Sequence, residues 1–490
     1  MITAFSSATE MLTALQSKEI SAVELLDLHL AQIETFNPEL NAIVTPNYDQ
    51  ARQTAVSADQ RRANGEEAPL LGLPIVVKDC LYMAGLPTTG GVPERANLIE
   101  QQDARIVASL RQAGAAIMGK TNVPPFAMDW QSDNPIFGPS NNPWDLSCTP
   151  GGSTGGGAAA VAAGLSPLEF GGDLGGSIRL PAAFCGIYGH KSSETAVPRS
   201  GHFPGHTLPN DGSYMGVQGP LARTAADLRL ALNVITGPDV GEDVAWSLHL
   251  PPARHEKLSD FRVAIIPPLE WVTVDNAITA ALDNLASQLS NVGAKVNIAM
   301  PAGFEDLKRY YALYLRLLNM KVFAGAPLEE RIREAEAFKG VGRFDNDARA
   351  EGIVGHATDV LLWFGQREYY RQCYRNFFTE YDILLAPVTT TLAFPHDKRP
   401  FPGRTLHIND QNTPYDYIGI YPSLCNLSGH PGTAFPVGIS ENGLPVGLQA
   451  IGPYLEDMTT IRFAELVGEA FGGYQVPPSY AAINTVNFNG

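Results

Sequence analysis

The segment 150-PGGSTGGGAAAVAAG-164, followed by 171-GGDLGGSIRLPAAFCG-186, limits what this chain can become more than any other stretch. Ten of the 26 residues from Gly151 to Gly176 are glycine. Each costs a helix or strand about 0.5–1 kcal/mol relative to alanine. Such density persists where backbone must approach something closely or take a positive φ. Two serines, Ser153 and Ser177, sit inside it, so the segment reads as a place where N–H groups and hydroxyls converge on a reacting group.

Two familiar glycine-rich loops do not fit. A phosphate cradle needs G-x-x-x-x-G-K-[ST], and a dinucleotide site needs G-x-G-x-x-G. Gly155-Gly156-Gly157 runs into Ala158 and Gly175-Gly176 into Ser177, with no lysine in place. No cofactor is therefore expected. The G-x-S-x-G elbow of α/β-hydrolases is missing around Ser177. None of the 10 histidines stands in a catalytic motif, and His190, in 189-GHKSS-193, reads as structural. A Ser-His-Asp triad is therefore not supported, and a Ser–Lys arrangement stays open.

The flanking sequence alternates helical and extended patterns, which argues for an α/β sheet protein. Ser7-Ala8-Thr9-Glu10 and Ser21-Ala22-Val23-Glu24 are capping boxes opening two helices, and 47–65 reads as a third. The run 71-LGLPIVVKD-79 is a short β-branched strand ending in Lys78. A helix over 105–114 precedes the strand AAIMGKTN. Further strands are expected at 261–268, AKVNIAM, 382–390 and 444–453, with helices over 276–292 and 457–472. No linker or internal repeat divides the chain, so 1–490 reads as one domain. The segment from about 300 to 380 is helical and rich in aromatics, among them Tyr310, Tyr311, Tyr314, Trp363, Tyr370 and Tyr374. These read as packing of helices on the sheet, or as a substrate-facing wall.

Composition narrows the partners. A net charge of −17 disfavours direct contact with nucleic acid or an anionic membrane. No run of 18 apolar residues exists, so no membrane insertion is expected. Five cysteines without a CxxC pair point to a reducing, cytoplasmic setting. No HExxH or clustered ligand set proposes a metal.

GGSTGGGAAAVAAG followed by GGDLGGSIRLPAAFCGIYGHK resembles the defining motif of the amidase signature family, with the two serines 24 residues apart. LGLPIVVKD resembles that family's lysine strand, and 119-GKTNVPPF-126, 137-FGPSNNPWD-145, YDILLAPVTT and NLSGHPGTAFPVG extend the likeness over nearly the whole chain. It is weakest between about 300 and 380, which then forms a variable segment shaping the pocket. The resemblance implies an α/β/α sandwich with a large, mixed, twisted central sheet. It implies Ser177 as nucleophile, Ser153 as bridging serine after a cis peptide bond, and Lys78 as base. It gives the N–H groups of Leu174, Gly175, Gly176 and Ser177 as the oxyanion hole, and the residues around Ala127 and Met128 as the acyl pocket. The expected substrate is a small-molecule amide, bulky and apolar or aryl, with esters and carbamates (urethanes) also in reach. The expected assembly is a monomer or homodimer. An amidotransferase A-type subunit working with a partner, and a catalytically silent anion-binding protein, are the alternatives. The sequence departs from the family pattern at Thr154, Gly157, Gly172 and Ser192, and Asp173 and Arg179 are read as structural support.

Overall fold

A computed structural model describes residues 1–205, 208, 214–339, 343–401 and 403–480. Its frame is an eleven-stranded mixed sheet. In chain order the strands are β1 (Ile43–Pro46), β2 (Pro74–Lys78), β3 (Ala116–Thr121), β4 (Leu168–Asp173), β5 (Tyr188–Lys191), β6 (Val217–Ala222), β7 (Arg262–Ile265), β8 (Lys295–Ile298) and β9 (Ile383–Pro387). A separate hairpin of β10 (Thr405–Ile408) and β11 (Gln411–Pro414) precedes the last two, β12 (Gly432–Ile439) and β13 (Pro445–Ile451). Across the sheet the order is β1-β3-β2-β4-β6-β5-β12-β13-β9-β7-β8. The pairs β2–β3, β2–β4, β7–β8 and β7–β9 are parallel, and the other pairs in the sheet are antiparallel.

Every residue of β2, β3, β4, β5, β6, β9 and β13 is buried. Strands buried on both faces read as continuous rather than alternating hydrophobic runs, as PIVVK and ILLAP do. The edge strand β8 is mostly exposed and carries Lys295, a charge that discourages further pairing.

Both capping boxes form: Ser7 and Ser21 each accept from the backbone of the glutamate three residues on. The helices they open run Ala8–Gln16 and Ala22–Leu40. The expected strands around Lys78, 116–121, 262–265, 295–298, 383–387 and 445–451 are all present.

Sequence reading passed over β1, β4, β5, β6 and β12, and glycine and proline explain most of this. Such residues weaken a strand and hide its signal. Here they let helices and neighbouring strands come close. A Cβ on Gly219 of β6 would lie 2.1 Å from the His190 carbonyl oxygen, and one on Gly189 of β5 would lie 2.7 Å from the Ala182 Cβ.

Among its described residues the segment from 300 to 380 forms four helices, Leu307–Val322, Leu328–Phe338, Phe344–Val354 and Ala357–Glu380. Tyr310, Tyr311, Tyr314, Tyr370, Tyr374, Phe377 and Phe378 form one buried cluster with Ala264, Leu384 and Ala386 of the sheet. These aromatics thus pack the helices onto the sheet, while Tyr369 is exposed.

Candidate active site

Lys78 ends β2 at the heart of the sheet and is 1% exposed. Its Nζ donates to Ser153 Oγ at 2.7 Å and to the Gly172 carbonyl at 3.4 Å. Burial holds its pKa below the ordinary lysine range, against the upward pull of Cys80, Glu169 and Asp173. Two other lysines are as deeply buried, Lys120 and Lys191. Lys120 is paired with Asp79 at 2.8 Å, and Lys191 donates to the carbonyls of Ser192 and His430. Lys78 is the one of the three that faces a serine hydroxyl.

Ser153 follows a cis peptide bond from Gly152, as the resemblance implies. Just beyond it the helix Gly155–Ala162 begins against the sheet. That contact needs glycine: a Cβ on Gly156 would lie 2.5 Å from the Asn122 nitrogen. The Thr154 N–H donates to the Ser177 carbonyl at 3.1 Å, which ties the two serine-bearing loops together.

The turn carrying Ser177 is built on a buried ion pair. Asp173 takes a two-point contact from Arg179, Nε to Oδ2 and Nη2 to Oδ1, both at 3.0 Å. Burial alone would raise the Asp173 carboxyl. The Arg179 charge and hydrogen bonds from Arg179 and Asn426 overcome this and hold it well below the usual carboxylate range. Arg179 is further fixed by Gln449 Oε1 and Asn426 Oδ1, each at 2.6 Å. Asp173 also accepts from the N–H groups of Gly176 at 2.9 Å and Ile178 at 3.2 Å.

The Gly176 contact bears on the oxyanion hole that the resemblance implies. Its N–H is committed to a carboxylate inside the turn. Gly176 serves by its φ of +95°, which a side chain would strain. Leu174 and Gly175 offer their carbonyls elsewhere, to Tyr314 Oη at 3.1 Å and Trp130 Nε1 at 2.8 Å.

Lys78, Ser153, Leu174 and Ser177 line one cavity of about 800 Å³, together with Phe126, Ala127, Met128, Tyr214, Met320 and Val322. Ala127 and Met128 border it beside Phe126. The variable segment reaches the cavity through Met320, Lys321, Val322, Ala324 and Gly325, the end of its first helix, and not through its aromatic residues. His190 is buried away from this cavity lining, between Thr433 at 2.9 Å and Asp457 at 3.0 Å.

Each departure from the family pattern has a local cause. A Cβ on Gly157 would come within 2.4 Å of the Glu169 carboxyl carbon, and one on Gly172 within 2.9 Å of His202 Nε2. Thr154 fills the space above Gly171, and Ser192 Oγ donates to the Gln218 carbonyl at 2.7 Å. Sequence reading singled out neither Glu169, His202 nor Trp130, and placed Tyr314 only among the aromatics of the helical segment.

The profile of the Amidase family matches residues 24–461. The chain belongs to the amidase family. It is 34% identical to the A-type subunit of the glutamyl-tRNA(Gln) amidotransferase of a Roseiflexus species, over 94% of each chain. It is 32% identical to the indoleacetamide hydrolase of Bradyrhizobium diazoefficiens, over 95% of this chain and 86% of that one. Its structure resembles that of a bacterial aryl acylamidase of the amidase signature family with a TM-score of 0.81, at 26% identity over 98% and 99% of the two chains. An amidase of this family is an enzyme acting on carbon–nitrogen amide bonds, and its sheet is the family's fold.

Proposed function

We propose that this amidase hydrolyses amides of bulky apolar or aryl acyl groups through a Ser177 acyl-enzyme, with esters and carbamates as further substrates. The observation that carries the reading is the 2.7 Å hydrogen bond from buried Lys78 to Ser153, on the same cavity as Ser177. Neutral Lys78 takes a proton from Ser153 as Ser153 takes one from Ser177, and Ser177 Oγ attacks the carbonyl carbon. The N–H groups of Gly175 and Ser177 stabilise the oxyanion. The relay returns the proton to the departing amine, and water then hydrolyses the acyl-enzyme by the same steps in reverse order.

The apolar preference rests on the cavity mouth. Phe126 and Met128 are 46% and 50% exposed, and Tyr214, Met320 and Val322 line the same cavity. Several relatives are A-type subunits of amidotransferases, which favours a second reading, release of ammonia within a partner complex. A free amino acid such as glutamine brings an ammonium that needs an unengaged carboxylate. Among the described lining residues the carboxylate is Asp173, already held by Arg179 and Asn426. This supports the self-sufficient hydrolase.

The test is labelling with a fluorophosphonate, location of the adduct by mass spectrometry, and turnover of a panel of amides, esters and carbamates by the isolated chain. An adduct on Ser177 and turnover without a partner are expected. An adduct on another serine overturns the mechanism, and turnover only with a co-purifying partner overturns the hydrolase reading.

A further inference from the structure

The helix Leu307–Val322 does two things at once. Its last turn and the residues after it supply Met320, Lys321, Val322, Ala324 and Gly325 to the cavity wall. Its inner face presents three buried tyrosines whose hydroxyls all donate to backbone carbonyls: Tyr310 to Leu424 at 2.7 Å, Tyr311 to Asp416 at 2.9 Å, and Tyr314 to Leu174 at 3.1 Å. Only the third reaches the turn that carries Ser177.

A trans peptide is planar, with its C=O and N–H pointing in opposite directions. A donor that fixes the carbonyl of one residue therefore fixes the N–H of the next. Trp130 holds the Gly175 carbonyl, and on the other side of that peptide the Gly176 N–H meets Asp173 Oδ1. Tyr314 holds the Leu174 carbonyl in the same way, which sets the direction of the Gly175 N–H. The contact is close enough to demand glycine: a Cβ on Gly175 would lie 2.9 Å from Tyr314 Oη. Tyr314 is 1% exposed, so water does not replace its hydroxyl cheaply.

From this geometry we infer that Tyr314 is a positioning residue of the oxyanion site. It holds the Leu174–Gly175 peptide so that the Gly175 N–H meets the developing oxyanion. The helix that walls the acyl pocket thereby also sets the transition-state donor. The inference rests on the acyl-enzyme reading above.

The experiment compares Tyr314→Phe, Tyr311→Phe and Ser177→Ala in the full chain. The substrate is the fastest amide found in a panel of aryl, aralkyl and primary amides, and the inhibitor is a trifluoromethyl ketone of matching acyl group. Tyr314→Phe should lower kcat about 10-fold, since a lost hydrogen bond of ordinary strength is worth about one decade, with KM within about 2-fold. The inhibition constant for the ketone, which carries the oxyanion, should rise by the same factor. Tyr311→Phe deletes an equivalent bond from the same helix face and should leave kcat and the ketone's inhibition constant within about 2-fold. A Tyr314→Phe enzyme with unchanged kcat and ketone binding overturns the inference. So does an equal loss in Tyr311→Phe, which would make both hydroxyls merely structural. Residual turnover by Ser177→Ala near the wild-type rate would instead sink the acyl-enzyme reading, and this inference with it.

Discussion

Replacing Glu169 with glutamine should make the protein more stable, and increasingly so as the pH rises from about 5 to 8. Glu169 lies on β4, fully buried, with Oε1 accepting from Thr121 Oγ at 2.8 Å and Oε2 without a partner among the described residues. The groups that face it are Lys78 and Cys80 at the end of β2, Thr121 of β3, Leu221 of β6 and Gly157 of the neighbouring helix. Burial raises its pKa from 4.5 to about 8, and the Thr121 hydrogen bond and the Lys78 charge offset only part of that. Between those two values the native state keeps a proton that the unfolded chain has released. Stability therefore falls as pH rises through the window and is fullest below 4.5. At up to 1.36 kcal/mol per pH unit, with the slope easing near each pKa, the loss from pH 5 to pH 8 is about 3–4 kcal/mol.

Glutamine keeps the shape and cannot ionise, so it removes this slope. Urea unfolding of both chains at pH 5, 6, 7 and 8 gives the difference directly, because other titrating groups act alike in each and cancel. The variant should gain about 3–4 kcal/mol on the wild type across the range. Parallel stability profiles would refute the reasoning, since Glu169 would then hold one charge state throughout. The result bears on catalysis as well. A carboxyl that stays protonated removes one of the negative charges that would hold a proton on Lys78, which favours the neutral base that the buried lysine must be.

Gly157→Ser should destabilise the fold by about 1–3 kcal/mol through overpacking against Glu169, and Glu169→Ala in the same chain should recover most of it. Failure of that rescue, read from unfolding midpoints, would place the strain elsewhere. Arg179→Met should cost about 3–5 kcal/mol, because it strands the buried Asp173 charge, and an unchanged midpoint would contradict the pairing described. Lys78→Ala should slow amide hydrolysis about 10²–10⁴-fold more than hydrolysis of a matched activated aryl ester, whose leaving group departs without a proton. The wild-type amide rate should climb as Lys78 loses its proton, a limb absent in the variant, and equal slowing of both substrates would assign the proton transfer to another group.

How far the sequence exposed this enzyme follows from where its information lies. Lys78, Ser153, Ser177 and the turn residues Asp173–Arg179 sit in short blocks whose glycines already declare close backbone contact, and the structure brings Lys78, Ser153, Asp173, Leu174 and Ser177 to one cavity. The strands that were passed over, β4, β5, β6 and β12 above all, carry glycine or proline where helices and carbonyls press against them. The same contacts that position the site erase the period-2 signal by which strands are found.

The aromatic segment shows the opposite limit. Its tyrosines were legible as packing or as a pocket wall, and by bulk they are packing. Yet a buried tyrosine hydroxyl needs an acceptor, and a tight turn leaves carbonyls that need donors. Tyr314 and Leu174 answer each other across 140 residues, and Trp130 and Gly175 across 45. No periodicity or motif links positions so far apart. Composition indicated that the segment had hydroxyls to satisfy, but only the folded topology determines that one of them falls on the turn beside the nucleophile rather than on a carbonyl remote from the chemistry.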